Sequence, residues 1–335
     1  MTSAANRKIR SVSYAKYGYL FILPFFLVYC FFQLWPLINT FILTMYGNGK
    51  SMDTFVGLDN FQALLFGTGD NARQAAGAHK DFINCLGNTF ILWFGNFIPQ
   101  IAISLALAVW FTDAKLKIPG KGFFKIIMYM PNIITAASVA ALFLKLFDKT
   151  YGPVNALFGT SINFVEDEWI SRIMIMFIQA WMWFGNTMIM LMSGIMGLNP
   201  SLFEAANIDG ASSGQVFRKI TLPLLRPILL YTVITSMIGG LQMFDIPLMF
   251  NYPTKTNPHT KTVAVYIYKS IYEKMHNNYG FSSTASIILF VITVALGSVT
   301  FYINRDKEAI ARKKERKANM KKLKAQQSGL GGMEI

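Results

Sequence analysis

The chain has 335 residues, of which 53% are hydrophobic and only 14% are charged, and its formal net charge is +14. Soluble chains carry about 25% charged residues, so this composition predicts a membrane protein and excludes a disordered chain or a disulfide-rich scaffold. The positive charges lie at the ends of long uncharged runs rather than along one surface. They therefore indicate orientation in a membrane and no binding to nucleic acid.

Six apolar segments are each long enough to cross a bilayer, which takes about 20 helical residues. Asp245 is the one charged residue in them, and the first two segments are longer than a single crossing requires. Pro24, Pro36 and Pro99 are predicted to bend these first two segments. The sequence therefore predicts an all-α polytopic membrane protein with six transmembrane helices. The six segments are residues 17–49, 82–112, 126–144, 173–198, 227–250 and 285–303.

Lysine and arginine are distributed unequally between the segments that connect these helices. With the N-terminus placed in the cytoplasm, 21 of the 31 Lys and Arg residues lie on the cytoplasmic side. Cytoplasmic loops are enriched in these residues, so both termini are predicted to be cytoplasmic. The predicted organisation is a basic N-terminus at residues 1–16, a six-span region at 17–303 and a basic tail at 304–335. Contact with the lipid membrane follows from the spans.

Motifs of catalysis are missing from the sequence. The Gly-Lys-Ser at residues 49–51 resembles the end of a phosphate-binding loop, but Thr44 stands where that motif needs glycine. Cys30 and Cys85 lie in apolar runs, and the three histidines are scattered, which indicates neither a disulfide framework nor a zinc site. We therefore predict that the chain is not an enzyme, has no catalytic or metal-ligating residues and holds no cofactor of its own.

The most informative segment, residues 199–223, lies between the fourth and fifth spans. Ser201 and Glu204 form a Ser-x-x-Glu pattern, which is typical of a capping box and predicts a helix that begins at Leu202. Gly210 is expected to end this helix in the left-handed conformation after about two turns. The helix is predicted to present an apolar surface to the cytoplasm, where it can dock in a partner's groove. Four residues form this predicted surface: Leu202, Phe203, Ala205 and Ala206.

A second short helix is predicted to follow. Ser212 with Gln215 repeats the capping pattern, and Pro223 is expected to end the helix before the fifth span. The alternative interpretation of the whole loop is a capped turn that joins two spans and contacts no partner.

The loop resembles the EAA loop of ABC importer permeases and precedes the penultimate span, as it does in that family. The resemblance is carried by Glu204, Ala205, Ala206, Asp209, Gly210, Ala211, Phe217, Ile220, Leu222 and Pro223. It implies a type I importer permease fold and a coupling helix that contacts a cytoplasmic ATPase. The contact residues that it implies are Leu202, Phe203, Glu204, Ala205, Ala206, Asp209 and Gly210.

Further motifs resemble the sugar-permease branch, which includes maltose, glycerol-phosphate and multiple-sugar permeases. They are Leu23-Pro24, residues 55–61 and 151–155, Phe244-Asp245 and residues 279–281. Where the family usually has Thr-x-Gly-Gly-Pro, this chain has Asn-Tyr-Pro-Thr-Lys at residues 251–255.

The resemblance implies import of a sugar or oligosaccharide across a bacterial cytoplasmic membrane. It also implies a second homologous permease subunit, two ABC ATPase subunits that hold ATP and Mg, and an extracytoplasmic binding protein.

Polar and aromatic side chains inside the spans are candidates for a substrate path, because such groups are costly in a membrane unless they face a cavity. Aromatic faces beside amides suit sugars. The candidates are Gln179, Trp181, Trp183 and Asn186 in span four and Gln242 and Asp245 in span five. Trp side chains at the membrane interface and amides that link helices are the alternative interpretations.

Two other functions remain open at this stage. An ion-coupled secondary carrier would require internal repeats and titratable groups in mid-span, and neither is evident. A membrane subunit that only docks a cytosolic partner would not need polar and aromatic groups inside its spans.

Overall fold

The computed structural model describes residues 15–47, 54–69, 72–113, 116, 118–251, 257–272, 278–304, 315–316 and 319–320. The first α-helices are α1 (Ala15–Tyr29), α2 (Trp35–Leu43), α3 (Asp59–Phe66), α4 (Ala72–Thr112) and α5 (Lys121–Tyr129). They are followed by α6 (Ala136–Leu146), α7 (Pro153–Phe158), α8 (Glu168–Met196), α9 (Pro200–Ile208) and α10 (Ser213–Val216). The last are α11 (Leu222–Leu224), α12 (Arg226–Leu241), α13 (Asp245–Phe250), α14 (Val263–Tyr272) and α15 (Tyr279–Asn304).

Three short segments with π-helical or 3₁₀ geometry, which are wider or tighter than an α-helix, join some of these helices. Residues Cys30–Leu34 and Phe217–Thr221 are π-helical, and Met130–Ile133 form a 3₁₀ turn. Within the described ranges, the one β pairing is an isolated bridge between Tyr46 and Phe55. The predicted all-α fold is therefore confirmed for the part of the chain that the structure describes.

Five helical segments of the described residues are long and apolar enough to cross a membrane. They are Tyr17–Leu43, Ala72–Thr112, Glu168–Met196, Arg226–Phe250 and Tyr279–Ile303. A sixth span exists if Lys121–Ile133 and Ala136–Leu146, which are bent by 92°, are counted as one. The helices continue through Pro24 and Pro99, so neither proline ends a span. The second span is much longer than predicted, since the 41 residues of α4 extend about 60 Å.

The third apolar segment is predicted to be one span over residues 126–144, but in the structure it is two helices with a sharp bend between them. Pro131, which has no N–H for a helical hydrogen bond, lies in the 3₁₀ turn where this helix is interrupted. Thr135 then takes an extended conformation with ψ of 138°, and its hydroxyl oxygen accepts the Ser138 N–H at 3.3 Å. This new cap starts α6 in a different direction.

Contacts divide the chain into two compact units, the first formed by Met1–Asn84 and Val263–Ile288. In this unit the motif at residues 55–61 closes the loop that follows α2. The buried Asn60 amide donates to the backbone oxygens of Thr44 and Tyr46, both at 2.8 Å. This motif therefore has a structural role that its sequence did not indicate.

The second unit is formed by Cys85–Thr262 and Leu289–Ile335. It contains two hydrophobic clusters, both of which include residues of α4 and α8. The first cluster contains Leu92, Val139, Ala140, Met174, Ile175, Ile178, Met182, Met243, Ile246 and Phe250. The second contains Ala108, Phe111, Met188, Leu191, Met192, Ile195 and Leu225. These clusters fix the helices from which the candidate site is built.

The motif at residues 151–155 also cross-links a loop of the second unit. The Asn155 amide donates to the carbonyl oxygens of Asp148 and Ile162, at 3.2 and 3.0 Å. The Asp148 carboxylate accepts the backbone N–H groups of Tyr151 and Thr150, and these bonds lower its pKa. Two sequence features cannot be placed, because residues 49–51 and 252–255 lie outside the described residues. The same holds for most of the basic tail.

Candidate transport cavity and coupling helix

The fifth span is broken in its second half. Helix α12 ends at Leu241 and α13 begins at Asp245, so Gln242, Met243 and Phe244 are not helical. Non-helical backbone inside a membrane is tolerated where it is buried in protein or lines a cavity. Here the break lies beside a cavity of about 530 Å³.

The cavity has a polar lining with aromatic faces. Its amides belong to Asn96, Gln100, Asn132, Gln179, Asn186 and Gln242. Its hydroxyls and aromatic rings belong to Thr187, Thr232, Thr235, Ser236, Trp183, Tyr231 and Phe244. Asp245 is the one carboxylate among the lining residues that the structure describes, and none of those residues is a lysine or arginine. A small polar solute can therefore find many hydrogen-bond partners here but no fixed positive charge.

The structure brings together five of the six predicted pathway residues. Gln179, Trp183 and Asn186 are spaced by four and three along α8, which places them on one helix face. Gln242 and Asp245 flank the break of the fifth span and line the same cavity.

Trp181 is the exception, because it is not among the residues that line this cavity. It lies two positions from Trp183, on a different face of α8, and packs against the first hydrophobic cluster. Its ring centroid is 5.9 Å from that of Phe143.

Two further rows of polar or small residues line the cavity and were not predicted, one on α12 and one on α4. Thr232, Thr235, Ser236 and Gly239 line the cavity at helical spacing along α12. Asn96 and Gln100 do the same on α4, and the Gln100 side chain donates to the Thr187 hydroxyl at 2.9 Å. The signal was available, because polar or small residues three and four positions apart share one helix face.

Close helix contacts support the cavity wall. A Cβ at Gly185 would overlap the backbone carbonyl of Met128, and a Cβ at Gly240 would overlap the Trp93 ring. Glycine therefore lets two helices approach at each point.

The loop between the fourth and fifth spans contains α9, whose start differs from the prediction. The helix begins at Pro200, and the side chain of the N-cap Asn199 accepts the Ser201 N–H at 3.1 Å. The predicted capping box of Ser201 and Glu204 is therefore wrong, because asparagine and proline two residues upstream already supply the cap and the first helical residue. The side chain of Glu204 is exposed.

The predicted end of α9 is confirmed. Gly210 has φ of +72°, its N–H donates to the Asn207 oxygen at 3.1 Å, and the Ala211 N–H donates to the Ala206 oxygen at 2.9 Å. This pair of bonds is a Schellman motif. The second capping box, between Ser212 and Gln215, is confirmed as well. Pro223 does not end the following helix as predicted, since it lies inside α11 at a position where proline needs no N–H donor.

The exposed apolar face of α9 consists of Leu202, Ala205 and Ile208, and Ile208 is 87% exposed. Ala206 was predicted to be on this face, but it is buried against the protein itself. Phe203 is half-buried and lines a second cavity of about 340 Å³ with Glu204. Asp209 and Gly210 are exposed at the end of the helix. The exposed apolar face of α9 is thus narrower than predicted, and it includes Ile208, which was not predicted to be part of it.

Comparison with known proteins agrees with these features. Residues 89–308 match a family described as "Binding-protein-dependent transport system inner membrane component". The match covers more than half of the chain and includes all of α8, α9 and α12. The chain belongs to this family. It is thus a multi-pass inner membrane component of a transport system, and the resemblance carried by the loop at residues 199–223 is confirmed.

Several curated relatives of this permease align over nearly their whole length. The lactose transport system permease protein LacF of Rhizobium radiobacter is 28% identical over 87% of this chain and 95% of its own length. The arabinooligosaccharides transport system permease protein AraP of Bacillus subtilis is 26% identical over 88% and 91%. The trehalose/maltose transport system permease protein MalF of Thermococcus litoralis is 26% identical over 87% and 94%.

Two solved structures share the fold of this permease. One is a bacterial ABC transporter involved in the import of the acidic polysaccharide alginate, with a TM-score of 0.72 and 21% identity over 87% of this chain and 95% of that one. The other is a bacterial alginate ABC transporter in complex with an alginate pentasaccharide-bound periplasmic protein, with a TM-score of 0.68 and 20% identity over 87% and 94%. At these identities the likeness establishes the fold, which is the importer permease fold that the sequence predicted.

Proposed function

We propose that this permease carries a sugar or oligosaccharide through the membrane as part of an ATP-driven ABC importer. The observation that carries the proposal is the cavity beside the broken fifth span. Amides and hydroxyls can pair with sugar hydroxyls, and the rings of Trp183, Tyr231 and Phe244 offer apolar faces to sugar C–H groups. A volume of about 530 Å³ falls within the ordinary size of small-molecule sites. The names of the relatives support the same substrate class.

The energy for transport is proposed to come from partner subunits. The exposed face of α9 would dock on one of two cytoplasmic ATPase subunits. These subunits would hold ATP and Mg and hydrolyse the nucleotide, so that this chain needs no catalytic group. An apolar helix face that lies in a partner's groove is a common mode of recognition. Leu202, Glu204 and Ile208 are exposed on α9 and available to such a partner. A second, homologous permease would complete the path.

The proposed topology places α9 and both termini in the cytoplasm. The basic segments at residues 1–16 and 304–335 and the predominance of Lys and Arg in the inner loops support this orientation in a bacterial cytoplasmic membrane. The opposite face would receive the substrate from an extracytoplasmic binding protein. Membership in a binding-protein-dependent family favours this function over an ion-coupled carrier or a docking subunit that transports nothing.

Uptake in a deletion strain tests the function. Cells that lack the gene should fail to accumulate at least one labelled mono- or oligosaccharide, and the native gene should restore uptake. Asn186→Ala removes an amide of the cavity wall and should reduce that uptake at an unchanged level of protein in the membrane. Ser193→Ala is the matched control, because Ser193 is exposed on the same helix outside the cavity and donates only to backbone oxygens of its own helix. Normal uptake of every tested sugar by the deletion strain would contradict the proposal.

A further inference from the structure

A six-residue segment of the second unit, residues 257–262, follows the fifth span and is hydrogen-bonded at several points to other parts of that unit. Asn257, Thr260, Lys261 and Thr262 are buried, whereas Pro258 is exposed. We call this segment the strap.

One set of bonds fixes the strap to the start of α8. Arg172 is buried, and its Nη1 pairs with Glu168 Oε1 at 2.6 Å in the same helix. Its Nε donates to the backbone oxygen of His259 at 3.0 Å, so the guanidinium is hydrogen-bonded to the strap. A buried arginine is costly unless its N–H groups are paired, so this arrangement resists displacement.

A second set of bonds fixes the strap to α4. The Asn88 amide nitrogen donates to the backbone oxygens of Pro258 at 2.6 Å and Lys261 at 3.1 Å. The Asn88 Oδ1 accepts from Arg172 Nη2 at 2.8 Å, so the two anchors are joined to each other. The Asn257 amide adds bonds to the Val165 oxygen at 2.6 Å and the Ser171 hydroxyl at 3.1 Å.

The far end of the strap reaches the broken span. The Thr262 hydroxyl donates to the backbone oxygen of Met243 at 2.8 Å, and both residues are buried. Met243 is the central residue of the non-helical break, so its carbonyl group is not part of a continuous series of helical hydrogen bonds. Gln242 and Asp245 of the cavity lining are its near neighbours in the chain.

We propose that the strap holds the break of the fifth span in its observed shape, so that Thr262 and Asn88 are positioning residues for the cavity. The strap is fixed at one end by two spans and at the other by the break itself. Displacement of the strap at its exposed Pro258 therefore changes the backbone two residues from Asp245. In the topology proposed above, this exposed end lies on the face where a binding protein would dock. The transport consequence rests on the proposed function, whereas the control of cavity shape does not.

Cysteine accessibility tests the control of cavity shape without a transport assay. The parent protein carries Cys30→Ala, Cys85→Ala and Ser236→Cys, which leaves one reporter thiol on the cavity wall. A water-soluble charged maleimide is applied to membranes that contain the full transporter, and the labelling rate is measured. Thr262→Val removes the hydroxyl donor at nearly constant volume. Loss of one hydrogen bond should make labelling about 2- to 10-fold faster, because the break opens more often.

Two further variants make the outcome decisive. Asn88→Ala releases the strap from α4 and should accelerate labelling in the same direction, which keeps the test valid if Thr262→Val does not fold. Thr293→Val is the control, because the Thr293 hydroxyl donates only within its own helix, to the Leu289 oxygen at 2.7 Å. Unchanged labelling in both strap variants would overturn the proposal. Equal acceleration by Thr293→Val would overturn it too, since the effect would then be a general loosening.

Discussion

Two features of its surroundings explain why the carboxylate of Asp245 is tolerated in an otherwise uncharged run. It is the first residue of α13, where helix N–H groups and the helix dipole favour a negative charge. Its side chain is also exposed to the cavity rather than buried among apolar groups. Removal of the charge should therefore affect a bound solute more than the stability of the fold.

We expect Asp245→Asn to lower the efficiency of sugar uptake by about 10-fold, because a hydrogen bond to a charged group contributes about 1.4 kcal/mol more than a neutral one. The measurement is the concentration dependence of uptake at matched membrane levels of the permease. Asp167→Asn serves as the control, since Asp167 caps α8 by accepting the Ile170 N–H and asparagine caps equally well. Full uptake by Asp245→Asn would show that the carboxylate charge has no role in the pathway.

At Gly185, α8 lies directly against the end of α5. In Gly185→Ala the new methyl group would overlap the Met128 carbonyl, so the two segments must separate. We expect a loss of about 1–3 kcal/mol in the free energy of unfolding, the usual cost of overpacking. Thermal unfolding in detergent provides the measurement. Gly87→Ala is the matched control within α4, because its added methyl group would contact nothing within 4 Å. An equal midpoint for the two variants would show that this contact is not tight.

At the scale of elements, α9 is defined by its ends. Asn199 and Pro200 begin it, and the left-handed Gly210 ends it. Since Glu204 has no part in the cap, its exposed carboxylate is free to contact a partner, and Glu204→Gln tests charge alone. The rigid ends keep Leu202 and Ile208 on one exposed face.

Gly210→Val should weaken the association of the ATPase with the permease by about 5- to 30-fold, because a side chain in the left-handed region costs about 1–2 kcal/mol and disturbs the end of the helix. Co-purification and ATP hydrolysis stimulated by the binding protein are the two measurements. The same substitution at Gly214 is the control, since Gly214 lies inside α10 without a positive φ and has open space around it. If Gly210→Val retains full association and stimulation, α9 is only a turn between two spans.

At the scale of the whole molecule, orientation is the property that most needs measurement. Tyr151 is 90% exposed in a predicted outer loop, and Ile208 is 87% exposed in the predicted inner loop. In intact cells without the ATPase genes, an impermeant thiol reagent should label Tyr151→Cys but not Ile208→Cys. The pattern should reverse in inverted vesicles. The two residues are matched in exposure, so labelling of Ile208→Cys in intact cells would refute the proposed topology.

The sequence predicted features that depend on local patterns and missed those that depend on packing. The apolar runs predicted the spans, and Gly210 predicted the end of α9, because each of these signals lies in residues that are neighbours in the sequence. The separation of Trp181 from Trp183 needed only helical periodicity and could have been predicted. The bend after Pro131 needed more, since proline also lies within the uninterrupted α1 and α4. The bent segment also packs closely against α8, where Met128 contacts Gly185, and no local pattern contains this contact.

The bent third span has a consequence for how the protein is inserted during synthesis. Lys121–Ile133 and Ala136–Leu146 have 13 and 11 residues, or about 20 and 16 Å of helix, and neither can cross a hydrocarbon core of about 30 Å alone. The nascent chain, however, presents residues 126–144 to the insertion machinery as one uncharged run. We expect this run to enter the bilayer as one segment and to reach its final packing only when Gly185 arrives with the next span. The mature third span is thus completed by a residue synthesised some fifty positions after Thr135.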